Sequence, residues 1–280
     1  MDSAIVLAFA VTLFAGLATG IGSAIAFLSK TTNKAFFALS MGFSAGVMIY
    51  LSFAEILPKA SKYIASEVDT SQSAAIAAAA LIGGMILMAL IDAVVPSGAN
   101  PHENTRVELM SEQNETEEGV GIEQKRLLQM GVFVALAIAI HNFPEGLATF
   151  LLVLDDPEVG IALAIAVAMH NIPEGIAVSV PVYYATKSKI KAFRLSFLSG
   201  LAEPAGAVIG YLILAPFLND FVLGVIFAMV AGVMVFLAID TLLPTARNSS
   251  RGHLTVYGLI AGMAVMAASL VLLSLYVPGL

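Results

Sequence analysis

His141-Asn142-Phe143-Pro144-Glu145-Gly146 and His170-Asn171-Ile172-Pro173-Glu174-Gly175 read almost identically and lie 29 residues apart. Each is set inside a long apolar run, so a histidine, an amide and a carboxylate sit where the surroundings are hydrocarbon. Ionisable groups cost free energy there, and where they persist they mark a pathway or a site. Two of the four histidines of the chain lie in these segments.

Working outward, the composition agrees. The chain is 59% hydrophobic and 12% charged, with a mean hydropathy of +0.93. Soluble domains carry about 25% charged residues, so this is a membrane protein. Cysteine is absent, which excludes disulfides, thiolate zinc sites and thiol redox chemistry. Any metal site must use imidazole, carboxylate, amide oxygen, thioether or water. The net charge of −7 identifies no partner, because seven of the twenty acids lie in one polar segment. The apolar stretch Ala4 to Ala18 follows Asp2 with no basic residue before it, so it reads as a first membrane helix and not as a cleaved signal.

A spanning helix needs about 20 apolar residues. Eight segments qualify: 3–29, 34–58, 74–97, 127–154, 158–184, 192–217, 221–246 and 253–277. The expectation is therefore an all-α polytopic membrane protein with a single domain over 1–280. Most links are short and polar. The exception, 98–126, is rich in Glu, Asn and Gly without apolar periodicity and reads as a disordered loop. Lys and Arg fix the orientation. With the N-terminus outside, the inner links hold Lys30, Lys34, Arg106, Lys125, Arg126, Lys187, Lys189, Lys191, Arg194, Arg247 and Arg251, against Lys59 and Lys62 outside. Such a bias places both termini outside the cytoplasm.

Glycines four apart recur at Gly16/Gly20, Gly42/Gly46, Gly206/Gly210 and Gly258/Gly262. That spacing brings helices close in lipid and predicts a compact bundle, leaving the oligomer open, a homodimer included. The second span ends in Glu55-Ile56-Leu57-Pro58 and the seventh in Asp240-Thr241-Leu242-Leu243-Pro244. These spans run in opposite directions, so the echo suggests an inverted repeat.

Residues four apart share a helix face, and residues three apart are neighbours. Glu145 thus serves positions shared with His141 and with Asn142, and Glu174 does the same with His170 and Asn171. The short link makes the two helices antiparallel neighbours, so six donors converge with both glutamates placed to bridge two cations. Pro144 and Pro173 cannot donate to the carbonyls of Ile140 and Met169, which predicts bent helices with a free carbonyl beside the donors. Glu203, in Gly200-Leu201-Ala202-Glu203-Pro204, adds a third carboxylate near the middle of the sixth span. Three carboxylates in low dielectric repel one another unless protons or divalent cations neutralise them. Imidazole with carboxylate suits zinc, iron, cobalt or manganese. A single such histidine is better explained by an interhelical hydrogen bond; the duplicated motif with Glu203 is not.

With these residues in place, the chain resembles the ZIP (Zrt/Irt-like) divalent metal transporters, and among them the bacterial ZupT-type branch. The resemblance spans essentially the whole chain and is carried by the paired His-Asn-x-Pro-Glu-Gly. It implies a 3+2+3 bundle whose first and last three helices are related by inversion, and a binuclear centre. One subsite would use His141, Glu145, His170 and Glu174. The other would use Asn142, Asn171 and Glu203 with both motif glutamates bridging. Met48 would add a thioether. Glu55 would attract incoming cations and Asp240 would play the matching part at the inner end; acids at helix ends solvated at the headgroups are the equal alternative for both. Asp92 reads as a solvated acid. Many ZIP proteins carry a histidine-rich loop between the third and fourth helices; here that loop has His102 alone, so no dedicated zinc-sensing loop is expected.

The function expected is import of Zn²⁺, with Fe²⁺, Mn²⁺, Co²⁺ and Cd²⁺ as further substrates, across the inner (plasma) membrane by alternating access. The resemblance suggests an elevator-like slide of the ligand-bearing helices. Divalent cations and lipid are the partners, with no nucleic acid and no prosthetic group. No ATP-binding motif is visible, so a gradient drives transport. One rival reading is an intramembrane zinc metallohydrolase, which would need an additional base and a cleft that the sequence does not supply; a second is an exporter with the same ligands, which only the direction of flux separates from an importer.

Overall fold

In hydrocarbon no water satisfies backbone N–H and C=O groups, so each apolar run must close its own hydrogen bonds as a helix. The computed structural model describes residues 3–28, 34–94, 117–249 and 252–276. Its helices are α1 (Ser3–Leu28), α2 (Lys34–Leu51), α3 (Leu57–Ile64), α4 (Thr70–Val94), α5 (Glu117–Asp155), α6 (Pro157–Thr186), α7 (Lys189–Gly200), α8 (Ala202–Leu214), α9 (Asp220–Leu237), α10 (Leu243–Ser249) and α11 (Leu254–Tyr276). Eight helical stretches are long and apolar enough to cross a membrane, matching the expected spans one for one.

Three spans are interrupted, each at a proline. Between α2 and α3, Ser52–Ile56 forms a π-helical turn in which the Leu57 N–H donates to the Ser52 carbonyl. Between α9 and α10, Ala238–Leu242 does the same, the Leu243 N–H donating to the Ala238 carbonyl. Pro58 and Pro244 follow immediately. A proline has no N–H and its ring collides with the carbonyl four residues back, and one extra residue in the preceding turn relieves that collision. Glu55 and Asp240 sit in these two wide turns, so the echo in the sequence is also an echo in backbone geometry. The sixth span breaks at Leu201, ahead of Pro204, which cannot donate to Gly200. It is therefore two helices, with Glu203 in the first turn of α8 and not in mid-helix. The helices carrying Pro144 and Pro173 continue past them.

The polar segment 98–126 is described only from residue 117 onward. Residues 117–126 lie in the first turns of α5. Residues 95–116, His102 among them, lie outside the described residues.

Two packed groups result. Helices α1, α5, α6, α7 and α8 pack on one another, and α2, α3, α4, α9, α10 and α11 form the second set. The groups meet through α2 with α6, α5 with α9, and α11 with α6. The glycine pairs set the close approaches. A Cβ on Gly42 or Gly46 would come within 2.3 or 2.1 Å of a carbonyl on α11, and one on Gly258 or Gly262 within the same distances of a carbonyl on α2. On Gly16 it would stand 2.5 Å from the Gly200 carbonyl, and on Gly206 1.9 Å from that of Phe143.

Candidate metal centre

α5 and α6 are joined by Asp156 alone, so they run antiparallel and their motifs meet at mid-span. The result is a crossed pairing. His141 Nε2 stands 3.0 Å from Glu174 Oε1, and His170 Nε2 stands 3.0 Å from Glu145 Oε1. Each histidine pairs with the glutamate of the other motif, since antiparallel helices set the first donor of one against the last donor of the other. His141 is 4% exposed, Glu145 3%, and His170, Glu174, Asn142, Asn171 and Glu203 are fully buried.

The two amides are oriented by backbone. Asn142 Nδ2 donates to the Ser199 carbonyl at 3.3 Å. Asn171 Nδ2 donates to the Ala15 carbonyl at 2.9 Å and to Glu203 Oε1. With the NH₂ groups so engaged, both amide oxygens are left over. Among the described residues, Asn142 Oδ1, Asn171 Oδ1, Glu145 Oε2, Glu174 Oε2, Glu203 Oε2 and His141 Nδ1 are buried and without a hydrogen-bond partner. Buried polar atoms are ordinarily satisfied, so this concentration of lone pairs marks a place where something electropositive belongs.

The motif glycines, to which the sequence reading gave no role, close the site. A Cβ on Gly146 would fall 2.1 Å from the Glu203 carbonyl, and one on Gly175 1.9 Å from that of Thr19. Their bareness lets α8 bring Glu203 against α5, and lets α1 bring the Ala15 carbonyl to Asn171. Met48 is fully buried on α2, one turn from Ser44, whose hydroxyl donates to the His170 carbonyl at 3.3 Å. The second group of helices therefore touches the site at the level of His170. Glu55 and Asp240 lie apart in their π turns, and Asp92 lies near the end of α4.

Two residues went unnoticed in the sequence. Ser44 had no signal beyond being a hydroxyl in a span. Thr149 had one: it is four residues after Glu145, and its helical azimuth falls between those of Glu145 and Asn142. It is fully buried and its hydroxyl has no partner.

Chemically, three carboxylates and two imidazoles are held out of water, and an uncompensated buried charge costs several kcal/mol. Among the described residues no three His, Asp or Glu side chains converge tightly on one point. The crossed His–Glu pairs instead hold these side chains for one another. Mixed nitrogen and oxygen donors without sulfur thiolates suit borderline divalent ions, not calcium or magnesium.

The sequence model of the family described as ZIP zinc transporter matches residues 96–270. Curated proteins match over nearly the full length. One described as zinc transporter ZupT from Oceanobacillus iheyensis is 55% identical over 274 residues, covering 98% of this chain and 100% of that protein. Its namesake from Lysinibacillus sphaericus is 55% identical over 273 residues with the same coverage. Another from Streptococcus mutans is 52% identical over 265 residues, covering 95% of this chain and 97% of its own.

Proposed function

Because the chain belongs to the ZIP zinc transporter family, we propose that it imports Zn²⁺ and related first-row divalent cations into the cytoplasm through the α5/α6 centre. It is a multi-pass membrane transporter and not an enzyme, so the metallohydrolase alternative falls away. The observation that carries the site is the cluster of buried lone pairs without partners on Asn142, Glu145, Asn171, Glu174 and Glu203. Crossed pairing adds support, since each glutamate is already within reach of the opposite histidine. His141, Glu145, His170 and Glu174 hold one cation. Asn142, Asn171 and Glu203, with the same glutamates bridging, hold the second. Met48 approaches from the other group of helices.

Both termini lie outside the cytoplasm of an inner-membrane protein, as the eleven-to-two lysine and arginine bias favours. The 3+2+3 inverted repeat is supported by the packing pairs. Exchanging the first span with the sixth, second with seventh, third with eighth and fourth with fifth turns α2·α11 into α9·α4, and α2·α6 into α9·α5. The division into two groups, with all seven His, Asn and Glu donors on one of them, favours alternating access by sliding α1 and α5–α8 against the rest. The fit of donors to substrate does not depend on a resident metal, because the cation is cargo.

Purified protein in liposomes containing a zinc-sensitive dye tests this. Zinc influx in the wild type, lost in Glu145→Ala/Glu174→Ala, is the expected result. Equal influx in the two, or none in the wild type, would sink the assignment.

A further inference from the structure

We propose that Tyr63 and Lys59 are positioning residues that latch the outer end of the ligand-bearing hairpin to the second group of helices, and that transport requires this latch to open. The inference rests on the sliding reading above. The observation is a pair of polar ties at one spot. The Tyr63 hydroxyl donates to Asp155 Oδ2, and Lys59 Nζ stands 3.6 Å from Asp156 Oδ2. Asp155 is the last residue of α5, and Asp156 is the single residue between α5 and α6. Tyr63 and Lys59 belong to α3, which packs on α9 and α4 in the other group.

Both ends of these ties are stiff. The Tyr63 ring lies tilted on Phe227 of α9, centroids 5.7 Å apart, so the phenol is held by its own group. The Lys59 side chain is only 18% exposed. On the hairpin side, the Asp156 N–H donates to the Leu152 carbonyl and its own carbonyl accepts from the Gly160 N–H, both at 2.8 Å. The link therefore moves with its helices and not independently of them. From Asp155 to Glu145 the helix is about 15 Å long. A hydrogen bond fails beyond a few tenths of an ångström of stretch, so a slide of α5 and α6 by a helical turn, about 5.4 Å, breaks the Tyr63–Asp155 bond and draws the Lys59–Asp156 ion pair apart.

The geometry also gives a direction. The ties close the outer ends together above a centre whose side chains are 0–4% exposed. The hairpin link lies outside in the orientation that the lysine and arginine bias favours, so the ties hold together the outer side of a centre that is buried from both sides. The apparent dissociation constant for external cation is the intrinsic one divided by the fraction of molecules able to receive it, so releasing the latch raises that fraction and lowers the constant.

The absence of cysteine makes the test direct. Tyr63→Cys/Asp155→Cys is reconstituted and joined with a reversible bifunctional methanethiosulfonate, and zinc influx is read before and after reduction. Loss of influx on joining, return on reduction, and no loss with a monofunctional reagent is the expected result. Fully joined protein that transports like the reduced form overturns the latch. Separately, Tyr63→Phe and Asp155→Asn should each lower the half-saturating zinc concentration by about threefold to tenfold, and the double variant by no more than either. A rise, no change, or effects that multiply would overturn it. Zinc influx in the wild type together with influx in the double-cysteine variant that joining leaves unchanged removes the latch alone; wild type without influx removes the transport reading and the latch with it.

Discussion

Gly206→Ala is the substitution that most directly tests how the centre is held together. Gly206 is on α8, one turn after Glu203, and faces the α5 backbone. A Cβ there would lie 1.9 Å from the Phe143 carbonyl oxygen and 2.7 Å from its carbon. Both are backbone atoms, and neither can rotate away. The two helices must part by about 1 Å, which as overpacking costs about 1–3 kcal/mol. The same parting lifts Glu203 from the Asn171 amide that it accepts from. Misplacing a working group by about 1 Å can cost on the order of 100-fold in rate, so zinc influx per folded molecule should fall by about tenfold or more. Two controls separate position from stability. Gly84→Ala is an equal insult, 2.0 Å from the Met229 carbonyl, but it lies between α4 and α9, in the group without the His, Asn and Glu donors. It should lower the melting temperature and leave influx per folded molecule near normal. Gly83→Ala meets nothing within 4 Å and should stabilise by up to about 1 kcal/mol. Melting of the detergent-solubilised proteins and dye-reported influx in liposomes give both readouts. If Gly206→Ala transports as well per folded molecule as Gly84→Ala, the claim that glycine contacts position Glu203 is wrong.

Two further outcomes follow from the donor set. Glu203→Gln removes one carboxylate and leaves the His141/Glu145/His170/Glu174 donors intact, so influx should persist with a half-saturating zinc concentration raised by about tenfold; an unchanged value would exclude Glu203 as a ligand. Replacing both histidines, His141→Asp/His170→Asp, exchanges imidazole for harder oxygen and should shift competition uptake from zinc toward manganese. A zinc-to-manganese ratio equal to that of the wild type would show that the imidazoles do not set selectivity.

The class of the protein and the set of buried polar residues that form its candidate site were legible in the sequence because both depend on residues taken singly or at fixed helical spacing. Whether a run of about 20 residues prefers hydrocarbon is a sum over its side chains. The positive-inside bias is likewise a property of residues near span ends, and His141, Glu145, His170 and Glu174 are placed by i, i+4 geometry alone. The prolines were visible too, but not their consequence. Pro144 and Pro173 lie in helices that run on, whereas Pro58, Pro244 and Pro204 accompany wide turns or a break. A missing N–H is local, but how a helix accommodates it depends on what packs alongside.

What the tertiary structure alone decided is which donor meets which. Glu203 joins Asn171, and Asn142 turns its amide to the Ser199 carbonyl, because Gly146, Gly175, Gly200 and Gly206 admit neighbouring backbones to distances that a Cβ would forbid. The crossing of His141 to Glu174 and of His170 to Glu145 depends on antiparallel register, and the tie of Tyr63 to Asp155 depends on the meeting of two helix groups far apart in sequence. Hydropathy is a one-body property of each residue in its solvent and can be read along the chain. Register and contact are pairwise properties of surfaces, and they exist only once those surfaces have closed on each other.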